Sequence, residues 1–264
     1  MRRFDTDYLD ATRRGMWADS REALADLGLE SRDRVLDVGC GTGELTRVLC
    51  EESDATVVGV DVDPVLLSVA ADVGPVLRSD ATALPFGTDA FDVVVCQALL
   101  INLSDPAAAL REFARVSDER VAAVEPDNGA VEVDSTVEAE SDLAGRARER
   151  FLDGVETDVT LGSSAADLFR TAGLEVVSTR RYDHERTTEP PYSEADVESA
   201  RRKVTGEGIG GDRETLLAGD TSEREYERLR AAWRAMGRAV VDQMGDDEYE
   251  RRERVPFFVT VARV

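Results

Sequence analysis

Through the first half of the chain, apolar residues fall in short blocks separated by polar turns. Val35 to Val38, Val57 to Val60, Val76 to Arg78, Asp92 to Cys96 and Arg120 to Val124 read as strands. Helical spacing fills the gaps. Glu44 to Glu52 puts Leu45, Val48 and Leu49 on one face. Asp63-Pro64 opens a helix carrying Val65, Leu66, Val69 and Ala70, and Asp105-Pro106 opens another over Ala107 to Val116. Strand and helix alternate with short links, which predicts an α/β fold with a parallel sheet and helices on both faces. Upstream, Met16, Trp17, Ala23, Leu24 and Leu27 predict a helix over Arg13 to Leu27, stopped by Gly28.

Beyond Gly129 the rhythm changes. Thr136 to Phe151 and Ala165 to Thr171 read as helices and Leu174 to Tyr182 as a strand. Arg186 to Gly211, rich in Pro, Gly and charge, reads as irregular. Tyr226, Leu229, Trp233, Met236, Val240 and Met244 recur at steps of three and four, an amphipathic helix over Ser222 to Met244. "VPFFVTVARV" reads as a closing strand. The expected plan is one domain: an N-terminal lid helix over 1–30, a core over 31–182, a helical insert or cap over 183–250, and a last strand over 255–264.

The 264 residues carry 55 acids against 32 bases, a net charge of −23, and Lys203 is the one lysine among the bases. The excess runs along the whole chain. That points to a protein working in concentrated salt, where self-repulsion is screened; an acidic protein with a basic partner is the competing reading. Either way, clustered cations for nucleic acid are missing. Cys40, Cys50 and Cys96 have no CxxC spacing and there is one histidine, so no disulfide framework and no metal site are expected. "MRRFDTDYLDATRRGMW" has no apolar block, and Val93 to Ile101 is too short to span a bilayer, so a soluble, cytoplasmic protein without membrane contact is expected.

The chemistry gathers at "VLDVGCGTGELT", residues 35–46. A strand, a glycine-rich turn and a helix start let backbone approach a ligand and present free N–H groups to it. A dinucleotide fingerprint is G-x-G-x-x-G. Here Gly39, Gly41 and Gly43 give G-x-G-x-G, Glu44 takes the sixth place, and Asp37 precedes the loop. Two acids are awkward beside a pyrophosphate and useful beside an ammonium, so the loop suits a ligand with an ammonium and a carboxylate. Asp61 ends the second strand, where an acid can meet ribose hydroxyls, and Asp80 follows the third, where one can accept from an adenine amino group.

In order and spacing, "VLDVGCGTGELT", "VVGVDVDPVLL", "SDATALPFGTDAFDVVVCQALL" and "VAAVEPDN" resemble the motifs of class I S-adenosylmethionine-dependent methyltransferases, nearest to the small-molecule branch with the ubiquinone and menaquinone C-methyltransferases. The resemblance spans roughly 32–128. It implies a Rossmann-like, seven-stranded, mostly parallel sheet whose last strand is antiparallel. It also implies S-adenosylmethionine as cofactor, S-adenosylhomocysteine as product and a small-molecule acceptor. Asp37 with Gly39, Cys40, Gly41 and Gly43 would hold the methionine part. Asp61 would bind the ribose, Val62 would pack on the adenine, Asp80 and Ala81 would meet its edge, and Gln97 would sit near the sulfonium.

Substrate contacts are less marked. Asn102, Glu125 and Asp127 follow strands four and five, and Tyr8 and Tyr192 could line a lid. His184 is the candidate general base, set against a plain surface histidine among charged neighbours. Two other classes compete: a non-catalytic S-adenosylmethionine-binding module, and a nicotinamide-dependent oxidoreductase, which Glu44 and the lack of a Tyr-x-x-x-Lys pair oppose.

Overall fold

The computed structural model describes residues 6–13, 15–18 and 20–264, of which residues 7, 8, 10 and 11 are described by backbone alone. They form two compact units. The first comprises 1–127, 160–182 and 256–264, and the second 128–159 and 183–255.

The first unit holds a seven-stranded sheet. In chain order its elements are α1 (Thr6–Arg13), β1 (Arg34–Val38), α2 (Glu44–Glu51), β2 (Thr56–Asp61), α3 (Pro64–Ala70), β3 (Val76–Arg78), β4 (Phe91–Gln97), α4 (Pro106–Val116) and β5 (Ser117–Pro126). The second unit opens with β6 (Glu132–Ser135) and α5 (Glu138–Gly154). The chain then returns to the first unit with α6 (Ala165–Thr171) and the start of β7 (Glu175–Thr188). The sheet order is β3-β2-β1-β4-β5-β8, where β8 is Arg251–Arg263 and β7 pairs with it. Strands β1 to β5 are parallel, and β8 runs antiparallel to β5 with Val124 opposite Val259. Burial explains the apolar runs: Val93, Val94, Val95 and Cys96 are fully buried on β4, as expected for a strand covered on both faces. Asp63 and Asp105 cap α3 and α4 with their carboxylates, each followed by a proline.

The second unit adds α7 (Glu194–Thr205), α8 (Glu207–Gly211), α9 (Arg213–Ala218) and α10 (Glu223–Gly245), and β6 pairs there with residues 251–254 of β8. Its core joins Tyr226, Leu229, Met236 and Val240 of α10 to Leu143, Ala200 and Tyr249. No helix among the described residues is long and apolar enough to cross a membrane.

Three expectations are corrected. The core does not run unbroken over 31–182, because 128–159 packs within the second unit. Residues 186–211 are not irregular: Ser193 makes a capping box with Asp196 and starts a twelve-residue helix, which the glycines at 206, 208, 210 and 211 then break into shorter pieces. The N-terminal helix covers 6–13 instead of 13–27, where a turn at Gly15 and a 3-10 helix over Arg21–Leu27 replace it.

Candidate functional site

The glycine loop follows β1 and leads into α2. Gly39, Gly41 and Gly43 have φ of 71°, 56° and 86°, a region costly for other residues. Gly39 also lies against Leu99: a Cβ there would sit 2.9 Å from Leu99 Cδ1. The N–H groups of Gly39 and Cys40 donate to Val60 O at 2.7 and 3.0 Å, which ties the loop to the end of β2.

Asp37 is fully buried. Its Oδ2 accepts the Thr46 hydroxyl at 2.6 Å, while Oδ1 has no partner. Burial pushes the carboxyl up to about 6, against the pull of Thr46 and of the nearby Arg13. A buried carboxylate oxygen without a donor is costly, and an ammonium would relieve it. Asp61 closes β2: its Oδ2 accepts Gly41 N–H at 3.0 Å and its Oδ1 accepts Asp63 N–H at 2.9 Å. Asp80 accepts both the N–H and the hydroxyl of Thr82, at 2.8 and 2.7 Å, which hold its carboxyl below the usual range.

These strand ends border two cavities. One, of about 640 Å³, is lined by Leu9, Arg13, Gly41 and Arg78, among others. The second, of about 570 Å³, is lined by Asp80, Ala81 and Leu103, among others. Gly39, Asp61, Val62, Leu99 and Asn102 border both. The structure therefore brings together Gly39, Gly41, Asp61, Val62, Asp80, Ala81 and Asn102, all at carboxyl ends of parallel strands, where open α/β sheets bind ligands. Asn102 is buried, donates its amide to Ala98 O at 2.8 Å, and has an Oδ1 without a partner.

Other residues stand elsewhere. The Cys40 thiol is buried against Gly59, and burial raises it far above its ordinary value, which suits packing and not nucleophilic chemistry. Gln97 is buried, accepting from Trp17 Nε1 at 3.1 Å and donating to Met16 Sδ at 3.2 Å. The Trp17 ring lies tilted against that of Tyr182, centroids 5.6 Å apart. Glu125 is not at a pocket rim, as expected from its place after strand five: it is fully buried beneath the segment after β4, with its oxygens turned to backbone N–H groups. Asp127 donates its N–H to Pro256 O at 2.9 Å, beside Gly162. His184 is buried, not a surface side chain, and belongs with Tyr192 to the second unit. The Tyr192 hydroxyl pins Tyr249, donating to its carbonyl and accepting its N–H, both at 3.0 Å. Tyr8 lies in α1 with its side chain outside the described residues.

Sequence reasoning missed Leu9, Arg13, Leu99 and Arg78. Leu9 and Arg13 are four apart and share one helix face; placing the first helix at 6–13 would have found them.

Residues 36–124 match the family model described as a methyltransferase domain. A demethylmenaquinone methyltransferase of Mycobacterium sp. (strain KMS) is 41% identical over 99 residues, 37% of this chain and 42% of that protein. One from Thermus thermophilus is 38% identical over 105 residues, 36% of this chain and 48% of the relative. The chain thus spans less than half the length of these relatives. Among solved structures, a putative methyltransferase from Bacillus halodurans C-125 aligns with a TM-score of 0.55 at 14% identity, covering 93% of this chain and 98% of the other. A putative sarcosine dimethylglycine methyltransferase from Galdieria sulphuraria gives 0.51 at 16% identity, covering 96% and 86%; these last two show the fold. Over residues 36–124 the chain is therefore similar to a methyltransferase domain, its sequence likeness runs to demethylmenaquinone methyltransferases, and its fold is the one those solved structures share.

Proposed function

We propose that this protein binds S-adenosylmethionine in the cavities around the glycine loop and transfers its methyl group to a small-molecule acceptor. The observation that carries the reading is Asp37, a buried carboxylate with one oxygen unpartnered, behind three glycines in the left-handed region. When bound, the cofactor supplies a methyl group already activated on a sulfonium, for in-line displacement. The chain's own part is to hold and align. The open loop backbone admits the amino-acid end, and Asp37 accepts its ammonium. Asp61 faces the ribose, and Val62, Asp80 and Ala81 border the base. Alignment and exclusion of water are what such a transfer asks of a protein. The acceptor is proposed to be small, because the charge balance offers no cationic surface for nucleic acid. Acceptor choice rests on segments outside 36–124, which the family match does not reach. A cytoplasmic setting at high salt completes the proposal.

Calorimetric titration in molar KCl with S-adenosylmethionine, S-adenosylhomocysteine and NAD tests it. Micromolar binding of the first two and none of NAD is expected. Binding of NAD alone would overturn the reading. Binding without turnover on any pool of small molecules would favour a silent binding module.

A further inference from the structure

Helix α10 turns one full side to solvent. Tyr226, Leu229, Met236 and Val240 mark its buried face. On the opposite side Arg224, Arg228, Ala231, Ala235, Arg238 and Asp242 are all exposed, and so is Asp246 at the C-cap. Steps of four and three keep these residues in one stripe. From Arg224 to Asp242 it runs about 27 Å at the α-helical rise per residue. Its charges are sorted along that length. Arg224 and Arg228 stand at one end, Ala231 and Ala235 in the middle, Asp242 and Asp246 at the other end, and Arg238 on the stripe's edge. Among the described residues, the side chains of Arg224, Arg228, Arg238, Asp242 and Asp246 make no hydrogen bond or ion pair. Other exposed arginines of the same unit do find carboxylates: Arg201 holds Glu198 and Arg213 holds Glu223.

We propose that this stripe is the contact face of a homodimer, with α10 of one protomer antiparallel to α10 of its partner about a two-fold axis at Ala235. Reversing the helix about that point sets Arg228 opposite Asp242 of the partner subunit, Arg224 opposite Asp246 of the partner subunit, and Ala231 opposite Ala239 of the partner subunit. Each pairing occurs twice, as a two-fold contact requires. The alanines let the helix axes approach to about 8 Å. A uniformly acidic partner, protein or lipid surface, would be repelled by Asp242 and Asp246. A uniformly basic one would be repelled by Arg224 and Arg228. A second copy in reverse satisfies both ends. Arginine–carboxylate pairs in direct contact are no longer than the screening length of about 3 Å in molar salt, so they keep part of their strength there. One pair of helices is a small interface, and the dimer is accordingly weak, forming in the micromolar range.

The test is sedimentation equilibrium of the full chain at fixed KCl. Between about 1 and 100 μM the mass should climb from the 28.8 kDa of one chain toward twice that value. Arg228→Asp and Asp242→Arg each create two like-charge pairs and should each weaken association by at least about tenfold. Mixing the two variants should restore it, because each supplies the charge the other lacks at both pairs. Joining both changes in one chain should restore it as well. Ala235→Glu sets two carboxylates together on the axis and should abolish the dimer. A chain that stays monomeric at every concentration would overturn the proposal. So would a dimer that neither charge change weakens, or one whose loss is not repaired by mixing. Should one charge variant fail to fold, the other and Ala235→Glu decide.

Discussion

The Glu125 carboxylate accepts the backbone N–H of Leu100 at 2.9 Å, and the same oxygen takes that of Leu99 at 3.1 Å. Its other oxygen meets Ile101 N–H at 3.4 Å. The segment needs such an anchor. Ala98 turns it with φ of 48°, a conformation disfavoured for a residue with a Cβ. Leu99 then leans on Gly39, and Asn102 borders both larger cavities. A buried acid on β5 thereby sets one wall of the site without touching its contents.

That anchor should show in the pH dependence of stability. Burial pushes the Glu125 carboxyl from 4.5 up to about 7, against the pull of the three N–H groups. The folded chain therefore keeps a proton that the unfolded chain releases across this window. The group's contribution is full below about pH 4.5 and is lost as pH rises through about 7. Glu125→Gln removes this titration. The stability of the wild type relative to the variant should fall by on the order of 3 kcal/mol over that span, read by urea unfolding at each pH. A difference that stays flat would mean that the carboxyl ionises as freely in the fold as outside it.

Asp37 should control binding instead. With its carboxyl at about 6, acidification puts a proton where the ammonium belongs. The apparent Kd for S-adenosylmethionine should rise by up to roughly tenfold per unit below that point, because only the ionised fraction is competent. Asp37→Asn should bind weakly at every pH, without this slope. A wild-type Kd unchanged from pH 7.5 to 5 would remove Asp37 as the ammonium acceptor.

Gly39→Ala should damage both stability and binding. The substitution meets φ of 71° and brings Cβ within 2.9 Å of Leu99 Cδ1. The backbone cost alone is about 1–2 kcal/mol, and Leu99 must give way into the cavity it borders. Thermal unfolding and cofactor titration should both register it. Gly173→Ala is the control: φ is 90° but nothing stands within 4 Å and it borders none of these cavities, so it should cost stability without loss of affinity.

These contrasts show what the chain reveals when read in order. Strands, helices and the glycine loop were legible because their signals are local: an apolar run, a capping Asp-Pro, glycines beside a helix start. Gly39, Gly41, Asp61 and Asp80 follow from position relative to strand ends. Glu125 was misplaced because its partners lie some 25 residues away, and no local pattern says that a strand-end acid turns inward. Arg13 was hidden by a first helix set a turn and more too late. The helices of 194–218 were obscured by glycine and charge, where tertiary burial of Ala200, Ile209 and Leu216 outweighs poor propensity.

In the second unit, the one lysine is a structural charge. Lys203 Nζ meets Glu140 Oε1 at 2.5 Å and the Tyr249 hydroxyl at 2.9 Å, and Ser135 and Tyr249 donate to Glu140 Oε2. Burial pushes the Glu140 carboxyl upward, but Lys203, Ser135 and Arg251 outweigh it and hold it below its usual range. Lys203→Met leaves that carboxylate in the core with less compensation and should cost about 3 kcal/mol. Adding Glu140→Gln should cost less than the sum of the single changes in a denaturant double-mutant cycle. Additive losses would show that the two groups are not coupled.

The acid excess leads to a prediction about salt. With a net charge of −23, each added carboxylate feels the repulsion of the rest, and molar KCl shortens the screening length to about 3 Å. Salt also weakens ion pairs such as Arg201–Glu198 and Arg170–Asp167, but exposed pairs contribute little and their loss is the smaller effect. Relief of repulsion should win, so the Tm should climb between dilute buffer and molar KCl at neutral pH. The same titration near the sequence pI of about 4.4 separates screening from a general effect of salt on burial, because most of the repulsion is then gone. The climb should shrink there. A Tm that does not respond to KCl at pH 7, or responds equally at both, would mean that the carboxylate surface is not what ties this fold to salt.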